Sequence, residues 1–313
     1  MKIVFLEPLG ISNETLRSIV ENKVTGCDIT YYDDRNENPD ELVKRSAGAD
    51  CVVLSNMKFG RDIIEKCPDL KMICVAFTGV DLVDIAYCRE RGIRVCNAAG
   101  YSTVAVADLV FAFVIDLARN VIECNEVVRH GGTKAGLVGF ELEGKKFGVV
   151  GAGAIGTRVL KIAQAFGCQT YAYSRTVKDI EGVEFLPFDE LLKTCDIISV
   201  HVPQTAETVG MFGKTQFDMM KDGALFINTA RGPIVDSMAL SDALNSGKLG
   251  GAGVDVFEKE PPISPDHVLL HAKNLIATPH IAFASHQAFI KRAEIVADNI
   301  KGWLEGKMQN VIC

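Results

Sequence analysis

Short apolar runs alternate with helically periodic polar segments along most of this chain. Residues 2–6, 27–32, 51–54, 72–76 and 93–96 are each four to six residues long and mostly apolar, which suits buried parallel strands. Between them, residues 13–20, 40–47 and 61–66 read as helices. Ser12 or Asn13 caps the first, and Pro68 stops the last. Such alternation predicts an α/β parallel sheet, complete within the first hundred residues. Residues 102–119 follow as a long helix, apolar on nearly all sides, so two faces of it need cover. Packing within the chain supplies one, and a subunit partner is expected to supply the other. Residues 130–139 are glycine-rich and read as a loop. Strand-like runs then resume at 147–150, 169–173, 196–200, 224–228, 253–257 and 275–277. Residues 284–304 close the chain as an amphipathic helix that can pack on either α/β unit.

One junction in this pattern carries chemistry. The run 147–150 leads directly into Gly151, Gly153 and Gly156, spaced G-x-G-x-x-G, and then into Ile155, Val159, Leu160 and Ala163 at helical spacing. Gly167 ends that helix and 169–173 is the next strand. Strand, glycine turn, helix, strand is the frame that a dinucleotide fingerprint requires. The first glycine allows the tight turn, the second admits a pyrophosphate close to the backbone, and the third lets helix and strand approach. The helix start at Ala154 and Ile155 offers N–H groups to the phosphates. A purely structural glycine turn is the alternative, and the surrounding frame favours the dinucleotide.

Composition narrows the class. The 313 residues are 48% apolar and 23% charged, as in an ordinary soluble protein of one or two domains. A net charge of −7 and the lack of a dense Lys/Arg run argue against a nucleic-acid partner. The opening MKIVFLEPLG is too short and too soon acidic for a signal peptide, and no apolar stretch reaches spanning length. A cytoplasmic protein without a membrane partner is therefore expected. The ten cysteines are dispersed without a C-x-x-C pair, and Cys51, Cys74 and Cys195 sit in or beside strand runs. Buried free thiols in a reducing compartment are expected, and no metal.

Ligands of open α/β sheets bind beyond the carboxyl ends of strands. Polar clusters fall at those ends here: His201–Val202–Pro203, Thr229–Ala230–Arg231–Gly232, Glu258–Lys259–Glu260–Pro261–Pro262 and Thr278–Pro279–His280. Arg231, fixed in a turn, can grip a carboxylate with two parallel hydrogen bonds; a surface arginine is the alternative. His280, aimed by Thr278 and Pro279, suits proton transfer; a satisfied core histidine is the alternative. Glu260, in a loop stiffened by two prolines, could favour the charged imidazole and fix its tautomer, or be a surface charge. Asp255 lies inside an apolar run, and a buried carboxylate needs partners, of which a nicotinamide carboxamide would be one.

GAGAIG, HVPQT, NTARGPIVD, GVDVFEKEPP and TPHIA appear in order, together with FTGVDLVD and NAAGYSTVAVADLVFAFVIDLAR. This series resembles the D-isomer-specific 2-hydroxyacid dehydrogenase family over almost the whole chain. The resemblance implies two Rossmann-like or flavodoxin-like parallel-sheet domains with a cleft between them. Residues 1–99 plus 283–313 would bind substrate, and 100–282 would bind the dinucleotide, with helix 102–119 contributing to a homodimer. It implies a catalytic trio of Arg231, Glu260 and His280. Cofactor contacts would come from Gly151, Gly153, Ala154, Ile155, Gly156, Ser174, Arg175, Thr176, His201, Val202, Pro203, Thr229, Ala230, Arg231, Asp255, His280 and Ala282. Substrate contacts would come from Asn56, Thr78, Gly79, Arg231 and His280. The implied reaction delivers hydride from NAD(P)H to C2 of a 2-oxoacid while His280 protonates the carbonyl oxygen.

Two departures refine that expectation. NAD-preferring members carry an acidic residue where this chain has Ser174, and Arg175 and Thr176 follow, a set of donors that suits the 2′-phosphate of NADP(H); an NAD enzyme that has lost the acid, with Arg175 pointing into solvent, is the alternative. Phosphoglycerate-type members carry an arginine where Leu54 lies, beside residues 55–58, which are expected to face substrate. The chain looks most like the short glycerate dehydrogenases and hydroxypyruvate reductases, so reduction of hydroxypyruvate or glyoxylate to D-glycerate or glycolate is expected, with lactate and branched 2-oxoacids left open. A nucleotide-sensing corepressor-like module and a phosphite-type dehydrogenase are the alternative readings.

Overall fold

Residues 1–260 and 262–313 are described by a computed structural model. The chain divides into two compact units, Met1–Ser102 with Ala284–Cys313, and Thr103–Phe283.

The first unit is built on β1 (Lys2–Phe5), β2 (Asp28–Tyr31), β3 (Cys51–Leu54), β4 (Met72–Val75) and β5 (Arg94–Asn97). They form one parallel sheet in the order β2-β1-β3-β4-β5. β3 and β4 are buried at every position, which is why they read as continuous apolar runs without alternation. The crossovers are α1 (Asn13–Glu21), α2 (Pro39–Arg45), α3 (Arg61–Ile64) and α4 (Ile85–Arg91). Ser12 caps α1 by accepting from the Thr15 N–H, and Asn38 caps α2 ahead of Pro39.

The second unit begins with α5 (Thr103–Arg119) and α6 (Val121–Arg129). There follow β6 (Lys146–Val150), α7 (Ala154–Ala165), β7 (Gln169–Tyr173), β8 (Val183–Phe185), α8 (Phe188–Thr194), β9 (Ile197–Val200), α9 (Lys214–Met219), β10 (Ala224–Asn228), α10 (Ser237–Asn245), β11 (Leu249–Val254) and β12 (Leu275–Ala277). The sheet order β12-β11-β10-β9-β6-β7-β8 reverses direction at β6, and the strand end there is the usual ligand site of a doubly wound sheet. The last helix, α11 (His286–Leu304), belongs to the first unit: Ala293, Val296, Ala297 and Ile300 join Ile3, Phe5, Met72 and Cys74 in its core.

Two expectations shift. The apolar run 253–257 predicts a strand, but the strand is Leu249–Val254, and Asp255 to Phe257 lie beyond its end. Its glycines hide it in the sequence, and packing explains them. A Cβ on Gly251 would lie 2.7 Å from Leu117 Cδ2, and one on Gly253 would lie 2.6 Å from Phe113, so α5 rests directly on the bare strand. The long helix also has a clearer sidedness than its composition suggests. Val106, Ala107, Val110, Phe113 and Val114 are buried, whereas Val104 and Ile115 are 47% and 38% exposed.

All ten cysteines are free thiols, and Cys51, Cys67, Cys74, Cys88, Cys96, Cys168 and Cys195 are buried. Burial pushes the Cys88 and Cys195 thiols up to about 12. Among the described residues, no helix is long and apolar enough to cross a membrane.

Candidate active site

The glycine turn between β6 and α7 divides its three jobs as the spacing suggests. Gly151 has φ +105°, and a Cβ there would lie 2.7 Å from the His201 backbone. A Cβ on Gly156 would meet Gly151 O at 2.1 Å, so the helix packs on the turn without a side chain between them. Gly153 alone of the three would meet nothing within 4 Å. It is the N-cap of α7, and no side chain caps that helix. Open space, a bare helix start and close backbone packing together fit a dinucleotide pyrophosphate. The neighbouring strand end is held to the same turn: His201 N donates to Val150 O at 2.7 Å, and the His201 ring pairs with Ser199 Oγ at 2.8 Å. Burial pushes the His201 imidazole down to about 3, so it is neutral at physiological pH. Val202 and Pro203 follow it into the loop after β9.

The end of β7 is tied to the turn as well. Gly151 N donates to Tyr173 O at 2.8 Å, placing Ser174, Arg175 and Thr176 immediately beyond the fingerprint. Arg175 and Thr176 are exposed, and Ser174 is half-buried.

At the end of β10, Asn228 shapes the next turn. Its Oδ1 accepts from Ala230 N at 3.0 Å, and its Nδ2 donates to Arg231 O at 3.1 Å. Arg231 Nη1 donates to Ala230 O at 2.8 Å. Thr229 Oγ1 is buried and has no hydrogen-bond partner among the described residues. A buried hydroxyl left so is costly unless a ligand completes it. Gly232 is required for a different reason: a Cβ there would lie 2.0 Å from the Phe257 carbonyl carbon. That contact brings the loop carrying Arg231 against the loop carrying Glu260.

Glu260 is not a surface charge. Its Oε1 lies 2.6 Å from His280 Nδ1, and each side chain is 16% exposed. Its other oxygen accepts from Phe257 N at 3.0 Å, which fixes the carboxylate from behind. Of the two prolines expected to stiffen this loop, Pro261 lies outside the described residues. The His280 ring also meets Phe283 edge to face, with centroids 5.5 Å apart.

Asp255 has no exposed surface, and its acceptors face the His280 loop. Oδ1 takes the Thr278 hydroxyl at 2.5 Å and the Ile281 N–H at 2.8 Å, and Oδ2 takes the Ala282 N–H at 2.8 Å. Asp255 O also accepts from His280 N at 2.8 Å. His280 has φ +54°, a strained value for a non-glycine residue, and these bonds bracket it. Burial raises the Asp255 carboxyl, and the hydrogen bonds oppose that rise. The partners that this buried carboxylate needs are therefore the residues on either side of His280.

Of the expected substrate contacts, Asn56, Thr78 and Gly79 lie on loops of the first unit. Asn56 follows β3 and is held by Arg35, whose Nη1 donates to Asn56 Oδ1 at 3.0 Å and whose Nη2 donates to Asn56 O at 3.2 Å. Arg35 also pairs at 2.5 Å with buried Glu7, and Glu7 accepts from Ser55 N at 2.7 Å. Thr78 O accepts from Asn97 Nδ2 at 2.7 Å, just ahead of Gly79. Of residues 55–58, Met57 is fully buried and belongs to the core instead. Sequence reasoning missed Glu7, Arg35 and Asn228. Glu7 and Asn228 were findable as polar residues at the ends of apolar strands.

Known proteins share this outline. A family model described as D-isomer specific 2-hydroxyacid dehydrogenase, NAD binding domain, matches residues 111–282. The chain is 38% identical over 311 residues to D-3-phosphoglycerate dehydrogenase of Archaeoglobus fulgidus, covering 98% of this chain but 58% of that protein. It is 40% identical over 269 residues to glyoxylate reductase of Thermococcus litoralis, covering 82% of this chain and 81% of that one. Among solved structures, an acyclic imino acid reductase in complex with NADPH and D-Arg superposes with a TM-score of 0.92 at 28% identity, over 100% of both chains.

Proposed function

The chain belongs to the D-isomer specific 2-hydroxyacid dehydrogenase family, and from that premise we propose that it reduces a small 2-oxoacid, hydroxypyruvate or glyoxylate, to the D-2-hydroxyacid with NADPH. The observation that carries this reading is the Glu260–His280 contact of 2.6 Å, together with the close approach by which Gly232 sets Arg231 against the Glu260 loop. An aimed acid–base dyad beside an arginine is what reduction of a charged carbonyl compound needs.

When bound, the nicotinamide supplies hydride to C2 of the oxoacid. His280 gives its proton to the carbonyl oxygen, so that the carbonyl gains one hydride and one proton and becomes the alcohol. Glu260 holds Nδ1 and stabilises the imidazolium until transfer. Arg231 grips the carboxylate and carbonyl, and Asn56, Thr78 and Gly79 complete substrate recognition. Gly151, Gly153, Ala154, Ile155 and Gly156 receive the pyrophosphate, and His201, Val202, Pro203, Thr229, Ala230 and Ala282 line the rest of the cofactor path. Ser174, Arg175 and Thr176 favour the 2′-phosphate over a bare ribose hydroxyl. Leu54, at the place of the arginine of phosphoglycerate-type members, favours an unphosphorylated substrate. The exposed Val104 and Ile115 of α5 support a homodimer built on that helix.

The test is turnover of hydroxypyruvate and glyoxylate with NADPH and with NADH, followed by nicotinamide absorbance. Reduction of either oxoacid with NADPH preferred is expected. Tight nucleotide binding without turnover would instead favour a sensing module. Ser174→Asp with Arg175→Ala should shift the kcat/KM ratio toward NADH by about tenfold, or roughly 1.4 kcal/mol.

A further inference from the structure

The loop after β7 turns back on the glycine turn a second time. Lys178 Nζ donates to Ala152 O at 2.8 Å, and Ala152 lies between Gly151 and Gly153. With the Gly151 N to Tyr173 O bond at its other end, residues 174–178 form a ring closed on the fingerprint at both ends. The hydroxyl of Ser174, the guanidinium of Arg175 and the hydroxyl of Thr176 lie on the segment between those closures.

Charge balance gives the lysine its importance. Glu207, in the loop after β9, accepts from Thr205 Oγ1 at 2.7 Å. That hydrogen bond holds its carboxyl below the usual range, and nearby Arg175 contributes in smaller part. Arg175 is exposed and has that carboxylate in its neighbourhood, which offsets part of its charge. Lys178 brings a second cation to the same segment, and it is anchored at the turn.

We propose that Lys178 is a specificity-determining residue of the cofactor site, its ammonium reaching from the Ala152 carbonyl to the 2′-phosphate of NADPH. This rests on the NADPH reading above. A lysine ammonium on a flexible stem can make both contacts without backbone movement, whereas the Ala152 bond keeps it near the adenosine ribose beforehand. NADH, which carries a 2′-hydroxyl there, gains little from it.

Calorimetric titration of the intact chain separates the outcomes. Four ligands are compared: NADPH, NADH, 2′,5′-ADP and 5′-AMP. Lys178→Ala should weaken NADPH and 2′,5′-ADP by about tenfold and leave NADH and 5′-AMP within about twofold. Lys178→Arg should restore most of the loss. If Lys178→Ala weakens all four ligands alike, the residue only holds the loop, and the proposal is overturned. It is overturned equally if no ligand is affected while the unmodified chain prefers NADPH. A parent chain that binds NADH more tightly than NADPH overturns the cofactor reading and this inference with it.

Discussion

Glu260 Oε1 lies 2.6 Å from His280 Nδ1, which commits that ring nitrogen to the carboxylate and assigns proton transfer to Nε2. Reduction then needs the charged imidazole and oxidation the neutral one. The reductive rate should fall as pH rises, and the oxidative rate should rise. Glu260→Gln replaces the carboxylate that anchors Nδ1, so kcat/KM should fall in both directions. His280→Ala should cost about a hundredfold or more in kcat/KM, since proton transfer itself is lost. Profiles of kcat/KM against pH in both directions check this. An unchanged kcat/KM in Glu260→Gln would show that Glu260 does not serve His280.

Arg231→Lys keeps the charge and loses the planar fork. Substrate KM should rise and kcat fall, while NADPH binding measured by calorimetry stays within about twofold. Unchanged kinetics would remove Arg231 from substrate recognition.

His201 gives the second unit an acid sensitivity. Burial depresses its imidazole to about 3, against about 6.5 in an unfolded chain. Below about 6.5 the unfolded state takes up a proton that the folded state refuses, so the stabilisation present above that pH is lost progressively as pH falls toward 3. His201→Gln, which can still meet Ser199, should show a flatter decline in urea midpoint between about pH 6 and 4. An identical decline in both proteins would mean that the imidazole is not what titrates.

Asp255→Asn tests the bracket around His280. An amide presents two N–H donors where the carboxylate accepted from Thr278, Ile281 and Ala282, and either amide orientation leaves a donor facing a donor. A loss of about 1–3 kcal/mol is expected, read as a lower urea midpoint. Because burial raises the native carboxyl, its contribution to stability falls as pH rises above the unfolded value near 3.9, and the variant should lack that slope. The reductive kcat should fall as well, since the strained φ of His280 loses its support. A variant as stable and active as its parent would show that the bracket is dispensable.

Much of the fold was legible because buried parallel strands leave continuous apolar runs, as β3, β4, β9 and β10 do. β11 was misplaced because its partner helix excludes side chains, so glycine stands where a strand signal should be. α6 went unread, and its apolar residues Val121, Ile122 and Val128 are exposed instead of facing a core. At the site, the strand-end position of Arg231 and His280 could be read from the sequence. What could not be read is which polar groups serve the backbone. Asp255 as a loop brace and Lys178 on the Ala152 carbonyl depend on contacts between segments far apart in the chain, and Asn228 as a turn brace depends on the local path of the loop it shapes.

The hidden thiols make the protein its own unfolding gauge. Five of the seven buried cysteines, Cys51, Cys67, Cys74, Cys88 and Cys96, belong to the first unit, and two, Cys168 and Cys195, to the second. A thiol reagent can reach them only when their unit opens. The number of sulfurs labelled in each opening event, counted by intact mass, therefore identifies which half of the molecule came apart, without any added probe.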